Sequence, residues 1–155
     1  MATNRRDVIR MSESEVDTFI EEQKSLQVGT IERDGSIHLS TLWFAYLDKR
    51  VVFETYTKSQ KIKNLRRDPR ITLLWEDGDV YEQLRGVMVK GTAQLVTDHC
   101  EVFPLALEVM KRNQPDIPEE LLEQAATHMA AKRTAVVVEP LKVVSWDHRK
   151  LSGTY

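Results

Sequence analysis

Residues 57–70, TKSQKIKNLRRDPR, gather six Lys or Arg against a single acid, Asp68, in a chain of 155 residues with a formal net charge of -2. Two of them have the types and spacing to hold a phosphate. Ser59 stands where a hydroxyl caps a helix, and Lys61 follows within the first turn. A helix that starts straight after a strand presents unpaired N–H groups and the positive end of its dipole. The hydroxyl adds a donor and the lysine a point charge. The same residues also suit a capped surface helix with solvated lysines, and the sequence leaves both readings open. Arg66, Arg67 and Arg70 lie toward the helix C-terminus, where the dipole favours cations in any case.

Other chemistry is sparse. His38, His99, His128 and His148 are scattered without metal-ligand spacing, and no metal is expected. Cys100 is the only cysteine, which excludes an intramolecular disulfide and a cysteine zinc cluster; an idle thiol is expected. No Ser/His/Asp order or carboxylate pair stands out, so the catalytic residues stay unknown. An enzyme built on this chain would rely on a borrowed cofactor. Nucleic acid is not expected as a partner. The chain is mildly acidic, and only Tyr56 interleaves the basic run to stack on a base.

The elements that must position Ser59 and Lys61 follow from periodicity. MSESEVDTFIEEQ predicts a helix capped by Ser12 or Ser14, with Val16, Phe19 and Ile20 as its apolar stripe. The period then falls to two over residues 26–57, giving three strands joined by a turn at Asp34-Gly35 and a polar turn at LDKR. Ile37, Leu39, Thr41 and Trp43 point to one side; His38, Ser40, Leu42 and Phe44 point to the other. The basic segment is a short helix with Ile62 and Leu65 inward, ended at Asp68 by Pro69. RITLLW and RGVMVKGTAQLV are strands. Two helices meet around QPDIP, with Pro104 in the first turn of the former or breaking it. TAVVVEPLKVVSWD is a last strand that Pro140 bends or holds at an edge.

This order predicts an α+β fold in which adjacent antiparallel strands close into a small barrel with helices at its ends. Residues 1–155 form one domain, with residues 1–11 as a flexible N-terminal arm. At this length about 68–70% of the unfolded surface is buried, so no staple is needed. The arginine pair near the start has no apolar run behind it, and no stretch approaches the roughly 18 apolar residues of a membrane span. A cytoplasmic protein without membrane partners is expected.

A strand pair, then YTKSQKIKNLRRDPRITLLW, then VMVKGTAQLV, resembles the split β-barrel flavin and deazaflavin proteins related to pyridoxamine 5'-phosphate oxidase. The resemblance covers residues 26–96 and returns in WDHRKL near the end. It implies an antiparallel split barrel that is homodimeric, with the cofactor shared between subunits. It also implies that Ser59 and Lys61 hold the cofactor phosphate, with Thr57, Lys58 and Gln60 contributing from the loop. Ser40, Thr41, Leu42 and Trp43, with Thr55 on the next strand, would lie along the ring system. Trp146 and Lys150 would sit near cofactor or substrate. Two departures speak against a true pyridoxamine phosphate oxidase. Lys150 stands where the oxidases usually have arginine, whose planar two-pronged contact lysine does not make. Gly86 stands where they commonly have a flavin-contacting glutamine.

NLRRDPR and KGTAQL look most like the branch using coenzyme F420, whose tail carries a phosphate and then several glutamates. Arg66 and the neighbouring arginines would meet that tail. The implied activity is hydride transfer between F420 and a small unsaturated organic substrate; Tyr81, His38 and Lys150 are the candidates for a general acid. The alternatives are an FMN-binding oxidoreductase, or a non-catalytic cofactor carrier or haem-handling protein on the same barrel.

Overall fold

A computed structural model describes residues 4–151 of the chain. The alternating stretches form seven strands: β1 Ser25–Ile31, β2 Ile37–Trp43, β3 Ala45–Leu47, β4 Arg50–Tyr56, β5 Arg70–Asp77, β6 Arg85–Val96 and β7 Arg133–Asp147. They make one antiparallel sheet in the order β2-β1-β5-β6-β7-β4-β3. The sheet curls around a core that includes Leu26, Val28, Phe53, Leu73, Trp75 and Val136, each at most 1% exposed. The architecture is the α+β split barrel that the sequence predicts.

Among the described residues five α-helices surround it: α1 Arg5–Val8, α2 Glu13–Glu22, α3 Gln60–Arg67, α4 His99–Asn113 and α5 Glu119–Ala130. A capping box between Ser12 and Glu15 starts α2, which buries Val16, Phe19 and Ile20. The LDKR turn reverses the chain with Asp48 and Lys49 both left-handed, at φ 49° and 62°. Such a turn usually calls for Asn-Gly or Asp-Gly. Here Lys49 reaches across to Glu13 of α2, which ties the turn down. Pro104 lies inside α4 without ending it. The carbonyl that loses its donor belongs to Cys100, which is exposed near the helix start and open to water.

Two observations bear on the expectations. First, residues 1–11 are expected as a flexible arm, and the described ones among them contact β7. The backbone N–H of Asp147 donates to the Ile9 carbonyl at 2.7 Å, and that of Met11 to the Ser145 hydroxyl at 3.1 Å. Met11 is buried, and its apolar side chain joins the core. Second, the apolar runs of β5 and β6 suggest a surface that one barrel leaves uncovered. Ile71, Leu73, Trp75, Val87 and Val89 face the core, while Leu74 and Met88 on the opposite face are half-buried. Exposed apolar side chains lie beside them on β2, with Ile37 59%, Leu39 70% and Trp43 48% exposed, and others include Leu141 and Val143 on β7. Cys100, expected as an idle thiol, is free and exposed.

Two openings interrupt the barrel. The β3–β4 ladder runs from Leu47↔Arg50 to Ala45↔Val52 and stops. Beyond Phe44 the chain leaves as β2 to pair with β1, so β2 and β4 diverge like the arms of a fork. The second opening comes from β7. Its register against β6 shifts at Lys90/Gly91, opposite Pro140, and its pairing with β4 ends at Val51↔Val138. A Cβ on Gly91 would lie 2.4 Å from the Glu139 carbonyl oxygen, so the bend requires glycine there.

Candidate cofactor site

The first opening carries the Ser59–Lys61 segment. β4 ends at Tyr56, and the amide of Ser59 donates back to the Tyr56 carbonyl at 2.8 Å, turning the chain into α3. Ser59 is the N-cap, its Oγ accepting from the Ile62 amide at 3.4 Å. The Lys63 amide bonds the Ser59 carbonyl, while those of Gln60 and Lys61 meet no acceptor among the described residues. Thr57 is fixed from the other side: its amide donates to Lys132 O, and its hydroxyl lies 3.0 Å from that of Thr134.

Below the cradle, α3 is locked in place. Ile62 and Leu65 are buried, and the fully buried Asn64 donates to the Thr30 hydroxyl at 3.0 Å while accepting from Gln60 at 2.9 Å. A fixed helix holds its N–H groups in one direction, which pre-organises an anion site.

Lys61 is the cation in this cradle. It is partly buried, no carboxylate among the described residues pairs with it, and desolvation pushes its pKa below the usual lysine value. An unpaired, partly desolvated cation is costly to hold, and an anion from outside the chain would offset that cost. Burial also lowers the pKa of Arg112, but that guanidinium has carbonyl partners.

The two arms of the fork each keep one unpaired edge. Thr41, Leu42 and Trp43 of β2 pair only toward β1, while Thr55 and its neighbours on β4 pair only toward β7. Free backbone groups on facing arms suit a flat heteroaromatic ring. The Ser40 hydroxyl is buried and lacks a partner among the described residues, as does the Gln27 side-chain amide oxygen Oε1. Both residues border a cavity of about 520 Å³ on the β1–β2 side. Tyr56, 59% exposed, stands at the cradle's lip with the Arg133 guanidinium 4.5 Å over its ring.

The row of arginines is less available than its sequence suggests. Arg70 grips Asp68 through three contacts of 2.6–3.1 Å, and this holds the Asp68 carboxyl down at about 2. Arg67 donates to the Ile31 carbonyl. Arg66, Lys58 and Lys63 are exposed and have no side-chain partner among the described residues.

Trp146 and Lys150 do not join this cradle within one chain. Both follow the bend in β7, beside the N-terminal arm, and Lys150 bonds Glu15 at 2.6 Å and the Arg10 carbonyl at 2.8 Å. Trp146 pairs with Gly86, and a Cβ on Gly86 would lie 2.0 Å from its indole. The glycine therefore makes room for the tryptophan ring over β6. Gly86→Ala is expected to displace Trp146 and cost about 1–3 kcal/mol, the usual range for overpacking. Thermal melting and tryptophan fluorescence read both effects; an unchanged spectrum and melting temperature would refute the fit.

Of the general-acid candidates, Lys150 is engaged as described. His38 lies 3.5 Å from Glu32, and Tyr81 stacks on His148 at 4.5 Å. Among the described residues, His38 and Lys150 show no contact with the cradle.

Arg112 and Asn113 are additions from the structure. Arg112 donates to the carbonyls of Ile20, Glu21 and Gln23 at the end of α2, and its guanidinium lies 4.1 Å over the Phe44 ring. Asn113 donates to the Phe44 carbonyl at 3.1 Å. Together they fix the residue from which β2 and β4 diverge. No local signal marks them, since basic residues at a helix C-terminus are ordinary.

Among the described residues no three metal-binding side chains cluster, and no helix is long and apolar enough to cross a membrane. A search of curated proteins finds no match. Among solved structures, a conserved hypothetical protein from Mycobacterium tuberculosis is 37% identical with a TM-score of 0.88, over 99% of this chain and 96% of that one. An F420 reductase shares the fold at 23% identity and a TM-score of 0.65, over 82% of this chain and 94% of that one. The haem storage protein HutZ from Vibrio cholerae does so at 15% and 0.67, over 86% and 94%. The family description for pyridoxamine 5'-phosphate oxidase matches residues 12–147, through both arms of the fork, the Ser59–Lys61 cradle and the bent end of β7. The chain belongs to the pyridoxamine 5'-phosphate oxidase family.

Proposed function

We propose that this protein is a deazaflavin oxidoreductase, which binds coenzyme F420 as a homodimer and transfers hydride between it and a small unsaturated organic molecule. The carrying observation is Lys61, a partly buried cation without an acid partner at the start of a locked helix. Ser59, Thr57, Lys58, Gln60 and Lys61 would hold the phosphate. Ser40, Thr41, Leu42, Trp43 and Thr55 would border the ring, and the unpartnered Ser40 hydroxyl supports that assignment. The cofactor supplies the hydride chemistry. The chain's part is to orient the ring between the fork arms and keep water from it. Trp146 and Lys150 would approach from the partner subunit, Lys150 only after releasing Glu15.

FMN is the second reading, because the same cradle suits any phosphate ester; a haem-handling role on this fold is the third. The cations beyond the cradle favour F420. Lys63 and Arg66 are uncommitted and would meet the glutamate tail, whereas FMN ends at its phosphate. Exposed ion pairs are worth about 0.2–1 kcal/mol each. Screening shortens their reach from about 10 Å at 0.1 M salt to about 3 Å at 1 M.

Titration with F420 of different tail lengths should therefore show affinity rising with glutamate number, and the rise should shrink at 1 M salt. Lys63→Gln with Arg66→Gln should flatten the length dependence and leave the phosphate contact. Tighter binding of FMN, with no effect of tail length, would replace this reading by the FMN one. Haem binding without either would leave the carrier.

A further inference from the structure

We propose that the second opening of the barrel, between the N-terminal arm and the bent half of β7, is a separate small-molecule site for an amphipathic carboxylate. The opening encloses a cavity of about 810 Å³, within the roughly 300–1,000 Å³ of ordinary ligand sites. Its floor is made by Val16, Ile20, Val51, Val89 and Val138, side chains of the main core that here line open space. Val143 and Val144 form a wall, 48% and 36% exposed, because β7 has left β4 behind at Val138. The arm roofs the cavity, held by the bonds from Asp147, Met11 and Lys150 described above.

The charge on the rim selects the ligand. Arg6, Arg10, Lys49 and Lys142 face only two acids there, Glu13 and Asp17. Both acids are committed. Lys49 bonds Glu13 and lies 3.4 Å from Asp17, and the Tyr46 hydroxyl donates to Asp17 at 2.7 Å. Arg10 pairs with Asp7 at 2.9 Å. The Arg6 and Lys142 side chains meet no acid among the described residues. Two uncommitted cations above an aliphatic floor fit a molecule with one acidic end and an apolar body. A cation would be repelled at the rim, and a neutral chain would leave both basic groups without a partner. The cavity shares no lining residue with the phosphate cradle of its own chain, and Trp146 is the one lining residue that the proposed cofactor site also uses, at the cradle of a partner.

The test is calorimetric titration of the full-length protein with dodecanoate, dodecanol and dodecylamine, each below its micelle concentration. Dodecanoate should bind saturably, one per chain, and perturb Trp146, which borders the cavity. Arg6→Gln with Lys142→Gln should weaken dodecanoate roughly two- to thirtyfold, as expected for two exposed ion pairs. Dodecanol should bind the native protein more weakly by a similar factor and be indifferent to the double variant. Dodecylamine should bind worst. Val143→Trp, at a half-exposed position, should fill the cavity and abolish binding while the melting temperature stays near native. Lys61→Ala should leave dodecanoate binding unchanged. Equal affinity for dodecanoate and dodecanol, native binding by Val143→Trp, or loss of binding in Lys61→Ala would each overturn the proposal.

Discussion

Lys61→Ala is expected to weaken cofactor binding roughly ten- to a hundredfold, since a hydrogen bond to a charged group contributes about 1.5–3 kcal/mol. The fold should survive, because Ile62, Leu65 and Asn64, rather than Lys61, anchor α3. Lys24→Ala, an exposed lysine before β1, is the matched control and should change nothing. The pH profile gives a second readout. Burial holds the free-state pKa of Lys61 below the ordinary lysine value, and a bound phosphate would raise it. Affinity should therefore be complete below the free-state pKa and fall as pH rises through it, earlier than for a surface lysine. The phosphate's own titration, near pH 6 for a monoester, lies well below that limb. Lys61→Ala should lack the alkaline limb. Equal affinities for Lys61→Ala and Lys24→Ala, or an alkaline limb that persists in Lys61→Ala, would remove Lys61 from the phosphate site.

Helix α3 was legible because its boundaries are local. A Ser59 cap and a proline after Asp68 mark its two ends. The strands were legible for a similar reason. Alternation along residues 37–43 assigns each side chain to a face, although it does not say which face is buried. Leu39 and Trp43 turned out to be the exposed side. What stayed hidden depends on long-range partners. Arg67 and Arg70 look identical to Arg66 in sequence, yet one serves Ile31 and the other Asp68. Arg112 holds Phe44 across a separation of 68 residues, and no spacing rule reaches that far. The contacts of residues 9 and 11 with β7 carry no local signal, because one partner in each is a backbone group.

Leu39→Glu is expected to dissociate the protein into monomers and to weaken cofactor binding with it. Leu39 is 70% exposed and shares the outer face of β2 with Ile37 and Trp43, beside the half-buried Leu74 and Met88 of the neighbouring strands. Contiguous apolar patches of this kind are uncommon on monomers and mark association surfaces. A second copy is the partner proposed here, because the proposed cofactor site draws residues from it. Trp146 and Lys150 lie past the bend of β7 at Pro140, away from the cradle of their own chain, and in the proposed dimer they would serve the cradle of the other. A glutamate at position 39 would bury an unpaired carboxylate in that interface, at a cost of several kcal/mol. It should leave the monomer's own core untouched, since no core contact is lost. Leu121→Glu, at an exposed position on α5, controls for added charge and should change neither mass nor affinity. Sedimentation velocity at micromolar concentration, run beside a cofactor titration, reads both effects together. A native protein that sediments as a monomer would remove the shared site. A dimeric Leu39→Glu protein with native affinity would move the interface to another face.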